Sequence, residues 1–146
     1  VFVASKFCTP KGHLDENATV PEIIKAVEGI LGRLETDYVD LLHVHACNTI
    51  ERLMAPNIHE AFDRLKEQGK VRYIGVTHYT ASAYDQLARV LETEDLDFVQ
   101  LNYSIVERDA ERALRRLRVD PDGSNVVMQG QIAGGPAGVG VGKIPD

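Results

Sequence analysis

A chain of 146 residues with 44% hydrophobic content is long enough to bury one core and is not compositionally disordered. Sixteen basic against 22 acidic residues give a formal charge of -6, and no run of Lys or Arg is long enough to follow a phosphate backbone, so nucleic acid is not the expected partner. The two cysteines, Cys8 and Cys47, make neither a disulfide framework nor a paired metal motif, which fits a reducing, cytoplasmic setting. No stretch approaches about 18 consecutive apolar residues, so no membrane partner is expected either.

In chain order, Val1 to Ser5 reads as a strand ending at Lys6, and because Val1 already lies inside it, preceding sequence is expected to be missing. A polar loop containing Gly and Pro follows through Asn17. The first helix has a clear start: Thr19 with Glu22 three residues on can cap free backbone N–H groups reciprocally, and Pro21 is tolerated in a first turn. Val20, Ile23, Ile24, Val27, Ile30, Leu31 and Leu34 recur at spacings of three and four, giving one face to pack on a sheet.

The tract Tyr38-Val39-Asp40-Leu41-Leu42-His43-Val44-His45 is the most telling part of the chain. It predicts a short buried strand that delivers His45 at its C-terminal end, ahead of the loop Ala46-Cys47-Asn48-Thr49. A second helix is predicted over Asn57 to Gln68 with Ile58, Phe62 and Leu65 inward, stopped by Gly69 in a left-handed conformation, and with His59 solvated. Val71 to Val76 reads as a third strand, Ala81 to Leu91 as a third helix burying Tyr84, Leu87, Ala88 and Leu91, Asp97 to Asn102 as a fourth strand, and Glu107 to Leu117 as a fourth helix. Arg112, Arg115, Arg116 and Arg118 suit the solvated side of that helix.

Strand and helix alternating through four units is the grammar of parallel α/β folds, with each unit near the length a right-handed crossover needs. No Gly-rich fingerprint follows any strand, which favours part of a TIM barrel over a doubly wound dinucleotide-binding sheet. A complete barrel needs roughly 250 residues, so this chain would hold about half of one. The expected organisation is a partial α/β barrel over residues 1–118 and an irregular Gly-rich tail over 119–146. In that tail Val126, Val127 and Met128 make at most one short strand, because ordering a backbone that buries few large side chains costs roughly 1 to 2 kcal/mol per residue.

In a parallel barrel, Lys6, His45, Thr77 with His78, and Gln100 with Asn102 would all reach the C-terminal rim, where such folds bind substrates. That polar set suits carbonyl reduction. Negative charge grows on the carbonyl oxygen as hydride reaches its carbon, and His45 can donate a hydrogen bond to it. Lys6 can lower the pKa of a hydroxyl that completes proton transfer. Thr77 and Gln100 can hold an amide such as the nicotinamide carboxamide. His43 shares the side of the strand that carries His45 and is a pocket candidate, but a two-histidine metal site would need a third ligand and none is clear. His13 falls in a loop, Cys47 reads as local packing, and Glu107, Asp109 and Glu111 alternate with Arg108 and Arg112 as a solvated helix start.

These residues, in this order, resemble the aldo-keto reductase family. The matching pieces are Val3-Ala4-Ser5-Lys6-Phe7, the run from Leu34 to His45, the run from Gly69 to Thr77, and Phe98-Val99-Gln100-Leu101-Asn102-Tyr103-Ser104, covering the chain to about Arg112. The resemblance implies an eight-stranded barrel that uses NADPH, or in some members NADH, to reduce aldehydes and ketones. It implies that Lys6 and His45 match two members of a catalytic set of Asp, Tyr, Lys and His, and that Gln100 matches the carboxamide ligand. Thr77 stands at the position of a common serine, and His78 replaces the usual asparagine. The Asp and Tyr would lie upstream of Val1, and the nicotinamide-stacking aromatic and the phosphate-binding basic segment downstream of the matched region. Two functional readings follow: a carbonyl oxidoreductase acting on a small carbonyl substrate, or a catalytically inactive partial barrel or protein-interaction module. A half barrel would also expose strand edges and favour self-association.

Overall fold

The computed structural model describes residues 1–7, 18–45, 55–78, 81–93, 96–102, 108–110, 126–129 and 140–141. Strands β1 (Ala4–Phe7), β2 (Val39–His45), β3 (Val71–His78) and β4 (Phe98–Asn102) alternate with helices α1 (Val20–Leu34), α2 (Pro56–Glu67) and α3 (Tyr84–Thr93). Two short strands follow, β5 (Val126–Gln129) and β6 (Gly140–Val141), and residues 109–110 are helical. The chain is thus an α/β fold of four parallel strand–helix units in a partial TIM-barrel arrangement. It divides into two compact units, Val1–Val76 and Thr77–Asp146.

In the first unit the strand order is β1-β2-β3, and β1 runs parallel to β2 with Ala4 opposite Leu41 and Lys6 opposite His43. Six of the seven β2 residues are buried, as a strand covered on both faces requires. Of the predicted α1 face, Ile23, Val27, Ile30 and Leu31 are buried and Val20 and Ile24 half-buried, whereas Leu34 is exposed because it sits in the last turn, where the helix ends. At its start the Glu22 carboxylate accepts the Thr19 backbone N–H at 2.8 Å and the Thr19 hydroxyl at 2.7 Å. Its other end is closed by Thr36 N–H to the Leu31 carbonyl, which forces Glu35 into the left-handed region at φ 53°.

Helix α2 starts at Pro56, which needs no N–H in a first turn, and Asn57 Nδ2 donates to the Ala18 carbonyl to tie it to the entry of α1. It stops where the sequence predicts. Gly69 takes φ 69°, its N–H reaches the Lys66 carbonyl, and Lys70 N–H reaches the Leu65 carbonyl. His59 departs from expectation: it is half-buried with its Nε2 inside, because it flanks Ile58 and lies one turn before Phe62 at the margin of the buried stripe.

In the second unit the order is β4-β5-β6, with β5 parallel to β4 and β6 antiparallel to β5. The third helical region differs in form from the predicted one: Ala81–Ala83 is a 3₁₀ turn and the α-helix proper begins at Tyr84. Tyr84, Leu87, Ala88 and Val90 are buried here, together with Phe98, Val99 and Leu101 of β4. β5 and β6 lie in the segment for which the sequence predicts at most one short strand; β6 pairs Val141 with Met128 through the backbone, and backbone pairing needs no side-chain period. Cys8, Cys47, His13, Tyr103, Ser104, Glu107, Glu111, the cluster from Arg112 to Arg118 and the glycines of 134–138 lie outside the described residues. Among the described residues no helix is long and apolar enough to cross a membrane.

Candidate active site

Parallel strands put register partners side by side with their side chains on the same face of the sheet, so Lys6 and His43 are neighbours. His45, two residues further along β2, lies on that face as well. The structure therefore gathers two site residues expected from the sequence, Lys6 and His45, around a third, His43, at the C-terminal ends of β1 and β2. Their exposure is graded: Lys6 is exposed, His45 half-buried, and His43 only 3% exposed.

Although its residue surface is largely exposed, Lys6 is partly desolvated by its neighbours, which lowers its pKa from the ordinary lysine value. His43 is pushed from 6.5 down to about 4, first by burial and then by the Lys6 charge, with His45 adding a smaller push and a hydrogen bond to the Val76 backbone opposing. His43 is therefore neutral at pH 7. Its Nδ1 is buried and makes no hydrogen bond among the described residues, so the ring nitrogen engaged with Val76 is Nε2.

The residues expected to meet a nicotinamide belong to the second unit. Thr77 is buried at the end of β3 with His78 half-buried beside it, and on β4 Gln100 and Asn102 are half-buried. Asn102 N–H donates to the Tyr84 hydroxyl at 3.2 Å, which anchors the end of β4 to α3. The sequence puts Tyr84 on the buried face, and its hydroxyl is legible there only through chemistry, since a buried tyrosine needs a partner for its oxygen. Thr77 carries a hydroxyl and Gln100 an amide, donors and acceptors of the kind that a carboxamide pairs with. No group of three His, Cys, Asp or Glu side chains among the described residues is placed to hold a metal ion.

Residues 1–136 match the model of the Aldo/keto reductase family. The chain is 33% identical over 119 residues to the aldo-keto reductase yakc [NADP(+)] of Schizosaccharomyces pombe, covering 77% of this chain and 33% of that protein. It is 30% identical over 119 residues to the NADH-specific methylglyoxal reductase of Escherichia coli, covering 80% and 34%. Among solved structures, the aldo-keto reductase AKR11C1 from Bacillus halodurans in its holo form superposes with a TM-score of 0.67 at 27% identity, over 88% of this chain and 40% of that one. The chain spans 23% to 36% of the length of curated relatives such as these.

Proposed function

The chain belongs to the aldo/keto reductase family, and on that premise we propose that it carries part of the machinery of an NAD(P)H-dependent oxidoreductase that reduces a small aldehyde or ketone to an alcohol. The observation that supports this most is the placement of Lys6 and His45 on one face at the C-terminal ends of two paired parallel strands, where α/β barrels do their chemistry. His45 donates a hydrogen bond to the carbonyl oxygen and stabilises the charge that develops there. Lys6 places an ammonium near a hydroxyl acid and lowers that acid's pKa.

A bound nicotinamide would supply the hydride, and Thr77, His78 and Gln100 are the residues proposed to hold its carboxamide. The names of the two relatives just described divide between NADP(+) and NADH, so NADPH is the first cofactor to test and NADH the second. The cysteine count accords with a reducing, cytoplasmic setting. The strand edges that a half barrel would expose accord with self-association, which light scattering on the eluted chain would read as a mass above that of one copy.

The test is NADPH fluorescence titration followed by cofactor consumption over a panel of aldehydes and ketones. Activity should fall by about 10² or more in Lys6→Met and in His45→Ala, as expected for groups in proton transfer and oxyanion stabilisation. Cofactor binding should weaken in Gln100→Ala. A chain that neither binds nor consumes the cofactor would overturn this reading and favour an inactive partial barrel that serves as an interaction module.

A further inference from the structure

His43 is the buried polar group that the proposed chemistry leaves unused. It sits in register with Lys6, is 3% exposed, and keeps a buried Nδ1 without a partner among the described residues. With Nε2–H given to the Val76 backbone, Nδ1 is a bare lone pair, a strong acceptor withdrawn from water and therefore costly to leave unused. Among the described residues, the groups that act on it are Lys6 from β1, His45 from its own strand and the Val76 backbone from β3. Of these, Lys6 is the cation with hydrogens to give, and adjacent strands are only about 4.8 Å apart, within reach of a lysine chain.

We propose that His43 is a positioning residue for Lys6, its Nδ1 accepting a hydrogen bond from the Lys6 ammonium, directly or through one water, so that the ammonium is held beside His45. An uncharged imidazole at that place holds the ammonium through its lone pair. The one acid of β2, Asp40, is three residues from His43 and so on the opposite face. Burial and the nearby positive charges keep the ring uncharged, which is what an acceptor for an ammonium must be. The inference rests on the reading of Lys6 as the ammonium of a carbonyl-reducing site, but the coupling between the two side chains exists without turnover and can be measured without it.

The experiment is NMR on the full 146-residue chain labelled at lysine and histidine, following the His43 ring nitrogens and the titration of the Lys6 side chain. In the wild type at neutral pH, His43 should show the Nε2–H tautomer. His43→Leu should lower the Lys6 pKa by about one pH unit further, because the charged form loses its acceptor. His43→Asn places a carbonyl oxygen where Nδ1 lies and should restore the Lys6 titration to within a few tenths of a pH unit, although it lacks the Nε2 bond to Val76. A role through Val76 alone would not be rescued in this way. An unchanged Lys6 titration in His43→Leu overturns the proposal, and so does an Nδ1–H tautomer in the wild type, a measurement that does not require either variant to fold. Where the chain turns over NADPH, kcat should fall about tenfold in His43→Leu and recover in His43→Asn with cofactor affinity unchanged. A Lys6 shift in a chain that neither binds nor consumes NADPH upholds the coupling and defeats the carbonyl-reductase reading, and turnover without the shift does the reverse.

Discussion

Removing the Asp40 carboxylate should loosen the attachment of β1 to the sheet. Its Oδ2 accepts the Val3 N–H at 2.8 Å and its Oδ1 accepts Arg72 Nη1 at 2.8 Å, while the side chain of Asp40 is 5% exposed and that of Arg72 59%. The two halves of this clasp are unequal. In Asp40→Ala the Val3 amide loses a charge-assisted bond, about 1.5 to 3 kcal/mol, whereas Arg72 recovers most of its partners from water and its share is about 1 kcal/mol or less. The sum is about 2 to 4 kcal/mol. Arg72→Met leaves the Val3 bond in place and removes an exposed ion pair together with the stacking of the guanidinium 4.6 Å above the Tyr38 ring, for about 1 to 2 kcal/mol. Asp40→Asn, which keeps one acceptor, should fall between the two. Urea unfolding followed by circular dichroism gives the order. Because β1 could fray without global unfolding, hydrogen exchange is needed at the Val3 amide and at those of Asp40 and Leu41, which donate to the Val3 carbonyl at 2.9 and 3.1 Å. If Asp40→Ala costs no more than Arg72→Met, or the Val3 amide exchanges at the same rate in both, the buried half of the clasp is not the dominant one and the reasoning fails.

Acid should destabilise the chain through His43. Its pKa is 6.5 when unfolded and about 4 when folded, so the unfolded chain takes up the proton first; the stabilising contribution is whole above about pH 6.5 and is lost as pH falls toward 4, by about 3 kcal/mol at about 1.4 kcal/mol per pH unit. Urea midpoints across that window should slope downward on acidification, and His43→Leu should flatten the slope. The two left-handed helix ends should respond in opposite directions: Gly69→Ala should cost about 1 kcal/mol because a Cβ is strained at φ 69°, whereas Glu35→Gly should gain up to about 1 kcal/mol by relieving the same strain at φ 53°, both read from thermal or urea melts. Tyr84→Phe removes an acceptor from the Asn102 N–H, should cost about 1 kcal/mol, and should speed exchange of that amide while leaving those of β1 unaffected.

Much of this was legible in residue order, and for local reasons. The capping pair Thr19 and Glu22 and the stop at Gly69 are interactions within a few residues, and the α1 face follows from a repeat of three and four, so the chain itself carries the information. The β2 run and the delivery of His45 at its end follow from an apolar tract that one layer could not cover. Other features depend on partners far away in sequence. Val3 is 37 residues from Asp40, and Arg72 is 32 from it, so nothing local marks Asp40 as a clasp. Tyr84 and Asn102, and Lys6 and His43, meet only once helix and strands are in place.

Residue order by itself determined the alternation of strands and helices, the capped start of α1 and the stop of α2 at Gly69, and that Lys6 and His45 stand at strand ends. The tertiary structure alone decided that Lys6 lies in register with His43 rather than with Leu42 or Val44. Register is a property of two strands together, and a slip of one residue would have turned the imidazole to the opposite face.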